Sequence, residues 1–302
     1  MKKPGNAQKT EALIEEVRPG QSIELLKELH ILTREGKLNQ DTRRKLKQVY
    51  HLYQFIEPLL DSVSASGQGF TLADHGAGKS YLGFIVYDLF FNVAHAGQPP
   101  AGRIYGIETR AELVEKSRAL AVRLGFANMS FLNLKVAEAT LSAELPPTID
   151  IVTALHACDT ATDDAIAFGL AKNARHMVLV PCCQAEVAGV LRKSRGLNLA
   201  RTPLAELWRH PLHTREFGSQ ITNVLRCLQL EASGYDVTVT ELVGWEHSMK
   251  NELILARRPA APNAGGVTKF RAAQTRLRDL LGELGLAGMT GRFVVGGDLP
   301  PD

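Results

Sequence analysis

The sequence has little of several things that would define its class at once. There are four cysteines in 302 residues, Cys158, Cys182, Cys183 and Cys227. That number makes no disulfide framework, and reduced thiols in a cytoplasm are the expectation. The first ten residues, MKKPGNAQKT, carry no apolar stretch, so no secretory signal is expected. The most apolar window, 81–93, is interrupted by Asp88 and falls well short of the ~20 residues of a membrane-spanning helix. There is no internal repeat. Charge imbalance is slight as well: 35 Lys and Arg against 32 Asp and Glu leave +3, too mild to announce a polyanionic partner.

What is present is the profile of a soluble globular protein, 45% hydrophobic and 22% charged, with 26 Gly and 14 Pro. The length suits one large domain with appendages, or two domains. Residues 8–66 read as helical. Ile23, Leu25, Leu26, Leu29 and Leu32 recur at helical spacing, and Leu46, Val49, Leu52, Tyr53, Ile56, Leu59 and Leu60 do so behind a cap expected at Asp41 or Thr42. From Phe70 the texture changes to short apolar runs alternating with helical stretches. Strands are predicted at 70–73, 103–107, 129–134, 149–155, 177–180, 237–242 and 252–256. Helices are predicted at 81–94, 111–124, 137–143 and 162–171. Such alternation means right-handed βαβ units and a doubly wound, mostly parallel α/β sheet. The last two predicted strands are joined by only 243–251, too short for a crossover helix, and should pair antiparallel. Residues 259–266 (PAAPNAGG) read as a linker, followed by a basic amphipathic helix over 268–286. The expected units are therefore a helical segment over 1–66, a domain over 67–258, and a linker, helix and tail over 259–302.

The first predicted strand runs into Asp74-His75-Gly76-Ala77-Gly78-Lys79-Ser80. Glycines at a strand-to-helix turn let a ligand approach the backbone. Ala73 to Ser80 also matches a relaxed P-loop, in which Lys79 would meet phosphates and Ser80 a Mg²⁺ ion. Against that reading, the first glycine is missing, Asp74 ends the strand, and no apolar run ends in the acid that would hold the metal. The dinucleotide fingerprint fails too, since its third glycine falls at Tyr81. What remains is Asp74-x-Gly76-x-Gly78 with an acid, Glu108, closing the second strand thirty residues beyond Gly78. A carboxylate there can accept both hydroxyls of an adenosine ribose.

On these residues the chain resembles a class I S-adenosylmethionine-dependent methyltransferase over about 67–258. The resemblance implies a seven-stranded sheet with an antiparallel last strand. It also implies S-adenosylmethionine as cofactor, held by Asp74, Gly76, Ala77, Gly78, Glu108, Val136 and His156.

A second constellation follows the fourth and fifth strands: His156-Ala157-Cys158-Asp159 and Pro181-Cys182-Cys183-Gln184. Ligands of open parallel sheets bind beyond the carboxyl ends of the strands, so both clusters converge on the expected acceptor side. This pairing resembles a branch of the family related to tRNA ribose methyltransferases, although Gln184 and Ala185 stand where those enzymes carry a His-His pair. The resemblance implies an RNA-type acceptor. Candidate catalytic residues are His156, Cys158, Asp159, Cys182, Cys183 and, in the last interstrand loop, Asn251, beside Lys250. His156 as general base, a cysteine as nucleophile, and the four His/Cys side chains as Zn²⁺ ligands are all open. So is plain lining of the pocket by small thiols. No bound metal is expected, because vicinal cysteines do not easily face one ion.

Residues 190–216 hold six basic side chains (Arg192, Lys193, Arg195, Arg201, Arg209, Arg215) and two acids, with Trp208 among them. The C-terminal helix adds Lys269, Arg271, Arg276 and Arg278. Such a segment suits phosphates and one stacked base, or is an ordinary solvated face. RNA is the expected acceptor, with a small molecule or a protein as alternatives. A non-catalytic cofactor-binding protein is the reading from another class.

Overall fold

The computed structural model describes residues 16–65, 67, 69–98, 101–155, 159–181, 184–194, 199, 201–242, 252–260 and 264–294. Two helices open it, α1 (Ile23–Glu28) and α2 (Gln40–Ser64). The cap of α2 is Asn39, not Asp41 or Thr42. The Asn39 side chain accepts from the Thr42 N–H at 2.9 Å, and Thr42 Oγ1 accepts from the Asn39 N–H at 2.8 Å. Thr42 is thus the reciprocal partner of a capping box. Leu46, Val49, Tyr53, Ile56, Leu60 and Val63 form the buried stripe of α2.

Seven strands follow: β1 (Phe70–His75), β2 (Gly102–Glu108), β3 (Met129–Asn133), β4 (Ile151–Leu155), β5 (His176–Val180), β6 (Asp236–Glu241) and β7 (Glu252–Arg257). They form one sheet in the order β3-β2-β1-β4-β5-β7-β6. The first five run parallel, and β7 lies antiparallel between β5 and β6. The crossovers are α3 (Tyr81–Tyr87), α4 (Ala111–Leu124), α5 (Val136–Leu141) and α6 (Thr160–Ala171). Each short apolar run became a strand within two residues of its expected ends.

The helix expected over 81–94 changes form part-way: after α3 the chain is π-helical over Asp88–Ala94. Asp88 is fully buried there and accepts from the Ser22 N–H at 3.0 Å and from Asn92 Nδ2 at 2.9 Å. The neighbouring Phe90 and Phe91 both pack on Phe70, with ring centroids 5.3 and 5.6 Å away.

Alternation along β1 divides the core, since successive side chains take opposite faces. Phe70 and Leu72 join α2, α3 and α4 in one apolar cluster, which also takes in Val17, Leu25 and Leu26 of the N-terminal segment. Ala73 joins α5 and α6 in a second. A third cluster lies outside the sheet, among α7 (Glu186–Ser194), α8 (Pro211–Ala232), α9 (Ala264–Glu283) and α10 (Thr290–Phe293). Strand order reverses between β1 and β4, where open parallel sheets take their ligands. Among the described residues no helix is long and apolar enough to cross a membrane.

Candidate functional site

The loop leaving β1 turns on three residues of positive φ: Gly76 (+66°), Gly78 (+58°) and Ser80 (+52°). Open space surrounds the position of a Cβ on Gly76, so it is backbone conformation that asks for glycine there. The Ala77 N–H donates to the Ile107 carbonyl at 3.0 Å, and the Gly78 N–H donates to Glu108 Oε2 at 2.8 Å. The acid at the end of β2 and the glycine loop therefore meet directly. The end of β3 joins them, since Asn133 Nδ2 donates to the Glu108 carbonyl at 3.0 Å. Burial would raise the Glu108 pKa. Hydrogen bonds from the Arg110 side chain, the Arg110 N–H and the Gly78 N–H outweigh it and hold the carboxyl below its ordinary value.

Asp74 is part of the same corner, but its carboxylate lies beneath the loop. It is 2% exposed, accepts from Thr153 Oγ1 at 3.0 Å and also takes the Gly83 N–H in the first turn of α3. Asp74 thus caps α3 from a neighbouring strand, where Ser80 makes no side-chain cap of its own. Burial pushes its pKa up to about 7, against the lowering effect of those two donors. Its neighbour His75 was not singled out from the sequence. The imidazole is 6% exposed, stands 5.6 Å from the Phe168 ring, and has no hydrogen-bond partner at either nitrogen among the described residues. Burial pulls its pKa down to about 4, outweighing the opposite pull of Glu108. The available signal was a histidine directly after Asp74 at the end of the first strand.

The P-loop alternative finds no support in this geometry. Lys79 is exposed, while Ser80 is 1% exposed with its Oγ beside Gly83 and Gly106 and without a hydrogen-bond partner among the described residues. A hydroxyl turned into the core is not presented to a phosphate-bound metal.

Of the residues expected to face an acceptor, His156, Cys158, Cys182, Cys183, Lys250 and Asn251 lie outside the described residues. Asp159 is described. It precedes α6 with φ +49°, and its Oδ1 accepts from the N–H groups of Ala185 and Glu186 at 3.2 and 3.4 Å. It therefore ties the segment after β4 to the segment after β5. Beneath it, one face of α8 carries a polar stripe. Arg226, fully buried, grips Asp163 with two bonds of 2.6 and 3.0 Å and donates to the Asp159 carbonyl at 2.7 Å. Asn223 accepts from Gln184 Nε2 at 2.8 Å and donates to Glu252 at 2.6 Å. Ser219 donates to Gln184 at 2.7 Å. The ends of the segments after β4 and β5 and the start of β7 thus share one hydrogen-bonded support. No sequence pattern pointed to it. Val136 is the first residue of α5 and half-buried. Among the described residues there is no group of three metal-ligating side chains. Burial pushes the Cys227 thiol up to about 12, which removes it as a nucleophile near neutral pH.

Comparison with known proteins bears on this corner. Residues 44–190 match the family model of a methyltransferase domain. The match takes in Asp74, the glycine loop, Glu108, Val136 and Asp159, and ends within α7. Among solved structures, the chain is similar to magnesium protoporphyrin IX methyltransferase from Synechocystis PCC 6803, at 16% identity, 78% of this chain, 93% of that chain and a TM-score of 0.41. A putative O-methyltransferase from Klebsiella pneumoniae gives 13%, 82%, 94% and 0.42. An rRNA methylase from Streptococcus thermophilus gives 10%, 63%, 87% and 0.36. With every one of these TM-scores under 0.5, the likenesses are distant. Among curated proteins no relative matches the sequence.

The basic stretch lies beyond the matched domain for most of its length. Arg192, Lys193 and Arg201 are exposed. Arg209 pairs with Glu206 at 2.9 Å and Arg215 with Glu216 at 3.2 Å, so two of the six basic groups are partly neutralised by the segment's own acids. Arg195 lies outside the described residues. Trp208 packs edge-on against Phe217 at 5.6 Å in the third apolar cluster, with its Nε1 buried and without a hydrogen-bond partner among the described residues. It is a packing residue.

Proposed function

We propose that the chain is an S-adenosylmethionine-dependent methyltransferase whose acceptor is RNA. The observation that carries the cofactor part is the 2.8 Å bond from the Gly78 N–H to Glu108, inside the segment that matches a methyltransferase domain. It brings together, at the reversal of strand order, an acid held in its charged form and a glycine turn whose backbone a ligand can approach. The donor set fits the group. Glu108 would accept the ribose hydroxyls, the turn at Gly76, Ala77 and Gly78 would pack against the cofactor, and Val136 would border it. Asp74 keeps the turn in place by holding α3. Bound S-adenosylmethionine supplies a methyl group on a positively charged sulfur, ready for transfer to a nucleophile.

The chain's own task is then to place and deprotonate the acceptor. His156, in sequence just beyond β4, is the proposed base, with Cys158, Asp159, Cys182, Cys183 and Asn251 as the proposed surroundings of the acceptor. Asp159 serves this arrangement from outside, through its bonds to the Ala185 and Glu186 N–H groups. RNA is favoured as acceptor by the exposed Arg192, Lys193 and Arg201 on and after α7, immediately past the matched domain.

Titration calorimetry with S-adenosylhomocysteine in Mg²⁺-free buffer tests the cofactor reading. Binding is expected, and Glu108→Ala should weaken it at least tenfold, since two hydrogen bonds to a charged acceptor, each worth about 1.5–3 kcal/mol, are lost. Mg²⁺-dependent binding of ATP that disappears in Lys79→Ala would instead establish a P-loop.

A further inference from the structure

The Glu108 carboxylate has every acceptor direction filled. A carboxylate offers two oxygens and about four lone-pair sites. Oε1 accepts from the Arg110 N–H at 3.0 Å, from Arg110 Nε at 2.9 Å and from Thr109 Oγ1 at 3.3 Å. Oε2 accepts from the Gly78 N–H at 2.8 Å and from Arg110 Nη2 at 3.3 Å. Two of these donors are backbone groups, fixed by the glycine turn and by the end of β2. Two others belong to one side chain, the Arg110 guanidinium, which straddles both oxygens and whose side chain is 60% exposed. Taking that fork away frees a direction on Oε2 beside the Gly78 N–H, and leaves on Oε1 only the Arg110 N–H and the rotatable Thr109 hydroxyl, whose long 3.3 Å bond yields readily to a better donor. Paired openings on the two oxygens of one carboxylate are what the adjacent hydroxyls of a cis-diol can fill.

We propose that Arg110 is a latch on the ribose subsite: its guanidinium occupies the two acceptor positions a cis-diol needs, and a ribose-bearing ligand binds by displacing it. The inference rests on the cofactor reading above and says how that site is controlled. The exchange is feasible for physical reasons. The latch is a single long side chain at the surface, so its charge returns to water when it leaves. Backbone N–H groups keep the carboxylate aimed throughout, so the acid does not need to be repositioned by the ligand. Two hydroxyl donors replace two guanidinium donors, and the number of hydrogen bonds to Glu108 is conserved. Ligands without a diol cannot make that replacement and leave the latch closed.

The test compares S-adenosylhomocysteine binding by calorimetry in the wild-type chain, Arg110→Ala and Arg110→Lys. Arg110→Ala should bind about threefold to fivefold more tightly, the scale expected for release of an exposed ion pair. Arg110→Lys should fall between, because an ammonium cannot straddle both oxygens. Raising the salt concentration should tighten binding to the wild-type chain and leave Arg110→Ala unaffected, because screening weakens the competing ion pair. Binding by the wild-type chain that is unchanged or weaker in Arg110→Ala overturns the latch and leaves the cofactor reading standing. Binding by neither protein overturns both.

Discussion

Asp74 and His75 are consecutive, both buried, and shifted in opposite directions by the same loss of water. Burial pushes the acid up to about 7 and the imidazole down to about 4, so both are driven toward their neutral forms. Their consequences for stability oppose one another. Between about pH 4 and 7 the folded Asp74 keeps a proton that the unfolded chain has released, so its contribution is fully present below about pH 4 and is lost as pH rises to about 7. Between about pH 6.5 and 4 the unfolded chain protonates His75 while the folded chain does not, so that contribution is lost as pH falls. Over the shared window the two slopes, each about 1.4 kcal/mol per pH unit at most, largely cancel. Denaturant unfolding of two variants should separate them. Relative to wild type, His75→Phe should lose stability as pH rises from 4.5 to 6.5, and Asp74→Asn should lose it as pH falls over the same range. Parallel pH curves for all three proteins would contradict the shifts. The sequence motif marked Asp74 as a ligand contact. That its carboxylate supports α3 from below the loop could not be read there, because Thr153 lies 79 positions away and the Gly83 N–H becomes available only once α3 has formed.

At the scale of elements, α8 ties the segments after β4 and β5 to the start of β7. Its polar stripe, Ser219, Asn223 and Arg226, repeats at four and three residues, the spacing that usually marks a buried apolar face. Read by periodicity alone, such positions look like solvent-facing ones, yet Asn223 and Arg226 are buried. The pairing of Arg226 with Asp163 spans 63 residues and depends on α6 and α8 lying on the same side of the sheet. Removing one partner of a buried ion pair leaves a charge without compensation, at a cost of about 3–5 kcal/mol. Arg226→Met should approach the lower end of that range, because Arg292 still reaches Asp163 at 3.4 Å. Adding Asp163→Leu should recover much of the loss, since neither charge then stays buried. Chemical denaturation of the single and double variants measures both. A double variant as unstable as Arg226→Met alone would mean that the two charges are not coupled.

For the molecule as a whole, charge is sorted by region. The matched domain ends within α7, and the exposed Arg192, Lys193 and Arg201 lie at that boundary. A polyanion bound there releases counterions, so its affinity should fall with salt at a log–log slope of about −0.7 per phosphate contact for a single strand. With Arg209 paired to Glu206 and Arg215 to Glu216, the exposed Arg192, Lys193 and Arg201 are, among the described residues of the stretch, the group to change. Replacing those three together with Ala should weaken the binding of single-stranded RNA and reduce the slope by about 2. Affinity for S-adenosylhomocysteine should stay the same, since the cofactor corner is formed by other elements. A salt slope identical in wild type and triple variant would make this an ordinary solvated face. A small-molecule or protein acceptor would then become the better reading.

Much of the architecture was determined by the sequence alone. Short apolar runs at 70–73, 103–107 and 177–180 can bury both faces only as inner parallel strands, and the brief 243–251 connection leaves an antiparallel hairpin as the only economical pairing. The meeting of Glu108 with the glycine turn was equally legible. One βα unit separates the two segments, and a parallel β1–β2 pair necessarily brings their carboxyl ends together. Tertiary structure decided the rest, because the partners are distant in sequence and each choice depends on which elements become neighbours. It placed Asp74 under its loop, buried His75 at the end of β1, made Asn39 the cap of α2, and turned the helix after Tyr87 into a π-helix around buried Asp88. Arg110 is the instructive case: it lies two residues from Glu108 and is visible in any reading of the sequence. Only the fold aims the Gly78 and Arg110 N–H groups at the same carboxylate and leaves the guanidinium spanning its two oxygens.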